Sequence, residues 1–187
     1  MERREAVQYI SLLLGGTIVG GSAFLTGCKS ETGKEGAFSE DDIAYLDEVA
    51  NTILPDTPAS PGAKAAKVGA FMTVMVNDCY EEKDQKIFHE GMTKLNDFSK
   101  KTYDKSFMKL DEKQRHDLLV TLDGEQKKYS KDKKKDDPAH YFRMMKELTL
   151  LGYFTSEIGC TQARRYIETP GKFEGCVPYK KGDKAWA

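Results

Sequence analysis

The chain is short of the residues on which most recognisable chemistry depends: 187 residues hold three histidines, four cysteines and one tryptophan. No Cys-x-x-Cys-His occurs, which excludes c-type covalent haem. No glycine-rich turn in the body of the chain follows a strand pattern and opens a helix, so the common dinucleotide route to a bound flavin is missing. The run Gly15 to Gly21 is rich in glycine, but it follows no strand and opens no βαβ unit. His89, His116 and His140 fall on different expected elements without metal-ligand spacing, and each reads as a surface or helix-capping histidine. His116 and Asp117 are neighbours on a helix, where adjacent side chains point apart. No Ser/His/Asp or Cys/His set can be singled out, and Glu81-Glu82 read as helix-start charges. The expectation is a chain with no catalytic, cofactor-binding or metal-binding residue of its own.

Charge of one sign is also lacking. The net charge is -1, so nothing global argues for a nucleic-acid partner. The densest run of lysines, Lys127-Lys128 and Lys131 to Lys135, is interrupted and followed by acids, with Tyr129 the only aromatic nearby. It reads as a solvated helix end or loop. Sustained period-two alternation is absent throughout, which removes the main signature of strands.

What is present begins at the N-terminus. Arg3-Arg4 precede an apolar, glycine-punctuated run from Tyr9 to Leu25 that closes on Leu25-Thr26-Gly27-Cys28. A positive start, an apolar middle and a small-residue end make a signal peptide over 1–27. The last four residues resemble the bacterial lipoprotein signal, so Cys28 reads as the acylated first residue of the mature chain. The paired arginines suggest twin-arginine export, with the general secretory route as the other reading. A transmembrane helix is disfavoured, because the run is shorter than the ~20 apolar residues of a span. Residues 28–37, polar and small, read as a lipidated flexible tether. The expected location is the cell envelope, as a periplasm-facing or outer-membrane lipoprotein. The ~160 residues left after cleavage suffice for one domain, spanning 38–187.

That domain reads as mainly α, a single bundle of about five to six helices with an irregular C-terminal tail. Ser39 to Asp42 has the form of a capping box. Ile43, Leu46, Val49, Ala50 and Ile53 follow at helical spacing until Pro55 stops the helix. A proline-rich loop through Gly62 leads to a second helix expected from about Ala63. A third starts near Glu81 to Lys83 with an apolar stripe of Ile87, Phe88, Met92, Leu95 and Phe98. Asp111 is the expected N-cap of a fourth, which carries Leu118, Leu119 and Leu122. Asp137-Pro138 reads as the N-cap and first position of a fifth helix. Tyr141, Phe142, Met144, Met145, Leu148, Leu151 and Phe154 cover more than one of its faces, so it is expected to be central. A short helix through Tyr166 is expected to follow.

Several blocks together resemble the gluconate 2-dehydrogenase subunit 3 family: Ile53 to Lys64, Asp78-Cys79-Tyr80, Leu148 to Glu157, and Gly175 to Asp183, with similarity from about Ser39 to the C-terminus. The resemblance implies a small, exported, helical subunit of a membrane-associated, flavin-dependent sugar or polyol dehydrogenase. It implies FAD in a large partner subunit of the glucose-methanol-choline type and no cofactor in this chain. The role implied is non-catalytic: escort, stabiliser and membrane anchor for that partner, with the lipid on Cys28 as the contact to the membrane. Arg3-Arg4 fit such a role, since a flavoprotein must fold around its cofactor before export. The other readings are a stand-alone lipoprotein binding a carbohydrate or envelope component, and an enzyme whose site is assembled from scattered His and Asp residues.

With Cys28 acylated, Cys79, Cys160 and Cys176 remain in an oxidising compartment, and three intrachain pairings are open. The resemblance implies Cys79–Cys176, leaving Cys160 free or bonded to another chain. Tyr153 and Phe154 at the end of the central helix, and Tyr179 and Trp186 in the tail, are candidate anchors for the partner. The alternative is that they cap the domain's own core. Met72, Met75, Met144 and Met145 read as core filler.

Overall fold

The computed structural model describes residues 38–169, 171–172 and 174–186. The expected signal peptide over 1–27 with Arg3 and Arg4, and the expected tether with Cys28, lie outside them. The described residues form five α-helices, a 3₁₀ turn and a π-helical turn, with no strand beyond two isolated bridges, Thr57 with Ser60 and Arg165 with Trp186. The mainly α reading and the irregular tail are borne out.

Helix α1, Glu40–Ile53, starts as its sequence dictates. Ser39 Oγ accepts from the Asp42 amide at 3.2 Å, while Asp42 Oδ2 accepts from the Ser39 amide at 2.9 Å, so two orphan donors are satisfied reciprocally. Leu46, Val49 and Ala50 are buried, and the helix stops before Pro55.

Helix α2, Val68–Cys79, begins five residues later than expected. Contacts from α1 hold the intervening chain as turns. Leu54 O accepts from the Ala63 amide at 2.9 Å, and Asn51 Oδ1 accepts from the Lys64 amide at 3.4 Å. Lys67 then takes a left-handed conformation, φ 53°, before the chain enters the helix. Asp47 of α1 caps the new N-terminus by accepting from the Gly69 amide at 2.7 Å. Burial pushes the Asp47 carboxyl up, with the Gly69 amide and Lys64 pulling the other way.

Helix α3, Glu82–Tyr103, buries Phe88, Gly91, Met92, Leu95 and Ser99 and closes on a left-handed Asp104. The 3₁₀ turn Phe107–Lys109 plugs the core with a fully buried Phe107. Helix α4, Glu112–Asp132, opens on a second capping box, Asp111 with Gln114, and carries the lysine-rich stretch as its solvated end.

Helix α5, Tyr141–Thr155, is capped by His140 and not by Asp137. Asp137 is otherwise engaged, since its carboxylate closes a turn on the Lys134 amide at 2.8 Å. Pro138 is tied back to α4, its carbonyl accepting from Tyr129 Oη at 3.0 Å. The expected central place of α5 holds, because it packs against each of the other four helices. Its burial is less complete than its composition suggests: Leu150 and Leu151 point outward. After α5 the chain makes a π-helical turn, Gly159–Ala163, in place of a helix through Tyr166. No described helix is long and apolar enough to cross a membrane.

Candidate functional site

Three irregular segments converge at the end of the bundle where α5 finishes: the proline-rich loop, the π-helical turn and the returning tail. Tyr153 builds the first junction. It is 4% exposed, and its hydroxyl donates to Pro61 O at 2.6 Å and lies 2.5 Å from Ser60 Oγ. The proline-rich loop is closed on itself as well, since Thr57 and Ser60 exchange backbone bonds and Asp56 Oδ1 accepts from the Gly62 amide at 2.7 Å. Tyr153 therefore serves the domain's own core, which corrects its reading as a partner anchor. Burial of an aromatic body with a satisfied hydroxyl is the ordinary state of a core tyrosine.

Gly159 builds the second junction. A Cβ there would lie 1.8 Å from Tyr153 O, so only glycine permits the chain to fold back so tightly on α5. The turn carries Arg164 over the Phe154 ring at 4.5 Å. Phe154 is half-buried and packed against the core, so a cation covers what sequence alone marked as a free anchor.

The tail builds the third. Arg165 N donates to Ala185 O at 2.8 Å, and the Arg165 guanidinium lies 4.4 Å from the centroid of Trp186. Lys184 Nζ donates to Gln162 O and, at 3.4 Å, to Ala59 O, joining tail, π turn and proline loop. Trp186 remains 51% exposed beside the Arg165 guanidinium, and Tyr179 is 74% exposed. Arg164, Arg165 and Lys184 were not singled out in the sequence. Their partners stand 10 or more positions away, beyond the reach of any local pattern.

The cysteines do not pair: Cys79, Cys160 and Cys176 are all free thiols. Cys79 Sγ lies 4.0 Å from Met75 Sδ at the end of α2, and Cys160 Sγ donates to Phe154 O at 3.3 Å. The Cys79–Cys176 bond implied by the resemblance is thus not formed in this structure, where the two thiols lie on separate segments, the end of α2 and the tail.

The histidines stay apart, on α3, on α4 and at the cap of α5. His89 stacks on Phe38, centroids 4.2 Å apart. His116 Nδ1 comes within 3.6 Å of Asp117, nearer than neighbours on a helix were expected to be, with both side chains exposed. His140 Nδ1 accepts from the Phe142 amide at 3.2 Å. Burial holds the His140 imidazole below its ordinary value, Glu125 opposing and Lys94 reinforcing the shift. Among the described residues no three His, Cys, Asp or Glu side chains are grouped to hold a metal ion.

Surface clefts also lie elsewhere on the described residues. One, of about 630 Å³, opens between the start of α3 and the α4–α5 connection, with Tyr80, Asp84, Lys135 and Glu147 on its walls. Another, of about 290 Å³, lies beside Glu48 and Arg115. Arg115 donates to Glu48, to Phe107 O at 3.2 Å and to Met108 O at 2.9 Å, so its role is to fasten α1 and the 3₁₀ turn to α4.

No curated protein and no solved structure matches the chain significantly. A family model does: gluconate 2-dehydrogenase subunit 3, over residues 40–171. The matched stretch begins at the first residue of α1 and contains all five helices and the π turn. It stops short of the Gly175 to Asp183 block. A match over so much of the chain settles its membership: the chain belongs to the gluconate 2-dehydrogenase subunit 3 family, whose members are subunits of a dehydrogenase complex.

Proposed function

We propose that this chain is a non-catalytic accessory subunit of an exported, FAD-dependent sugar dehydrogenase of the glucose-methanol-choline type. The observation that carries the reading is the family match over the whole helical body. The flavin and the chemistry belong to the partner, and this chain acts by binding. Its leader supports a part in export: Arg3-Arg4 route a folded cargo, and a flavoprotein is such a cargo. Cys28 then carries the lipid. The ten residues 28–37 can span at most about 35 Å, which keeps the complex close to the membrane surface. A single acyl chain gives only marginal membrane binding, so multiple acylation of the anchor is part of this reading.

The test is affinity purification of the tagged chain from its native membrane in mild detergent, followed by absorbance and protein identification. The expected result is a yellow complex with a flavoprotein in stoichiometric amount. A colourless chain that returns alone, with its lipid attached, refutes the proposal.

A further inference from the structure

Between Arg165 and Ala185 the chain leaves the bundle and returns to it. Its described residues 166–183 form no helix or strand, yet its base is fastened by a backbone bond, a cation over an indole ring and the Lys184 ammonium. A segment of this length without secondary structure is uncommon in a compact domain and is usually either functional or a linker, and a base fastened at both ends is not that of a linker. This one displays Tyr166, Ile167, Val177 and Tyr179, each between 49% and 74% exposed, and Trp186 at the base is also half-exposed. Exposed large apolar residues on the helices are fewer for their length, with Val74 on α2, Val120 and Tyr129 on α4, and Leu150 and Leu151 on α5. Scattered single residues of that kind need no explanation, whereas a concentration in one loop does.

The charge of the loop narrows what it can meet. Lys172, Lys180 and Lys181 are balanced by Glu168, Glu174 and Asp183. Lys172 pairs with Glu174 at 2.5 Å, and Asp183 is turned onto the Lys180 amide at 2.9 Å. A loop with three charges of each sign offers no net excess to phosphate, nucleic acid or an anionic lipid surface. Its aromatic and aliphatic side chains suit a protein surface with apolar pockets. Membership of a family of complex subunits supplies such a surface.

We propose that the closed loop 166–183 is the element that seats on the catalytic subunit, with Tyr166, Ile167, Val177 and Tyr179 as its anchors. This rests on the accessory-subunit reading above. Fastening of the base by Arg165 and Trp186 limits the conformations the free loop explores and lowers the ordering cost of association.

The experiment uses the full-length tagged chain, captured with its partner and then titrated with purified flavoprotein. The double variant Val177→Ser/Tyr179→Ser is expected to bind at least about thirtyfold more weakly, the loss typical of central anchors. Arg165→Ala, which touches no anchor, is expected to lose about three- to tenfold through the opened base, with part regained by Arg165→Lys. Val120→Ser on α4 serves as the control and binds as the parent does, and circular dichroism melts of all variants coincide. If the parent captures the flavoprotein and Val177→Ser/Tyr179→Ser holds it equally tightly, the loop is not the seat, although the accessory-subunit reading stands. If the parent returns alone, both fall. A parent that is dimeric by light scattering and made monomeric by the double variant would assign the loop to a second copy of this chain, overturning the proposal.

Discussion

Replacing Gly69 by alanine and replacing Gly124 by alanine are the same chemical change within helices, and the structure gives them opposite signs. Gly124 lies on the exposed side of α4, and a Cβ built there meets nothing within 4 Å. Only the helical gain remains, since alanine is favoured over glycine by about 0.8–1 kcal/mol through lower unfolded-state entropy. At Gly69 the same Cβ would stand 2.5 Å from Ile43 O, 2.7 Å from Asp47 N and 2.8 Å from Asp47 Oδ1. Two of those atoms are backbone of α1, which no rotamer change can move.

The clash is relieved only by separating α1 from α2, the pair of helices in widest contact. Overpacking of this kind costs about 1–3 kcal/mol. The separation also stretches the 2.7 Å bond from the Gly69 amide to Asp47, worth about 1 kcal/mol. Against a helical gain below about 1 kcal/mol near a helix start, the net loss is about 2–3 kcal/mol. For a domain of this size each kcal/mol moves the midpoint by about 2–4 °C. Thermal unfolding followed at 222 nm should therefore fall by about 5–10 °C for Gly69→Ala and rise by about 2–4 °C for Gly124→Ala. Urea midpoints should move in the same two directions with unchanged slopes. A Gly69→Ala protein that melts at or above the parent would refute the close α1–α2 crossing.

Three further outcomes are expected. Burial works against ionisation of Asp123, but hydrogen bonds from Lys127, Lys146 and Gln126 outweigh it and hold the carboxyl at about 2. Its folded value lies below its unfolded one, so its stabilisation is present above about pH 4 and is lost as pH falls toward 2. Asp123→Asn should lower the urea midpoint at pH 6 and flatten the acid arm of stability. His140, held below its ordinary value, favours the folded state as the neutral imidazole, and this contribution is lost as pH falls below about 6.5. His140→Asn retains an acceptor for the Phe142 amide and should remove that component of the pH dependence, read from unfolding at pH 5 and pH 8. Tyr153→Phe strips Pro61 O of its 2.6 Å donor and should cost about 1–2 kcal/mol in urea unfolding, with faster amide exchange in the proline-rich loop.

The helices were legible where their causes are local. Ser39 with Asp42 and Asp111 with Gln114 are reciprocal caps three residues apart, and the stripes of α1, α3 and α4 follow from 3.6-residue spacing. What escaped was set from a distance. Ala63 to Lys67 has a helix-forming composition, yet Asn51, Leu54 O and Asp47 dictate its path from the preceding helix. Pro138 looks like a helix start but is claimed by Tyr129, nine residues earlier. Of the four aromatic anchors picked from sequence, the structure turns Tyr153 inward because its acceptor, Pro61 O, lies 92 positions away, and it covers Phe154 with Arg164. Tyr179 is exposed, and Trp186 is half-exposed beside the Arg165 guanidinium.

The placement of these long-range contacts separates two jobs along one chain. Among the described residues every large, fully buried side chain, from Leu46 to Met145, lies in the helical body. The loop after Arg165 therefore contributes little to the free energy of folding, and its residues are free to be chosen for what they meet. Its position is nevertheless not free. Gly159 sets the sharp reversal, Arg164 anchors it on Phe154, and Arg165 with Lys184 ties the returning tail to the π turn and the proline-rich loop, itself held by Tyr153. A rigid core thus fixes both ends of a segment that carries no core of its own. That is the arrangement expected of a recognition element, because exposed apolar side chains bind well only when the cost of ordering them has been met in advance.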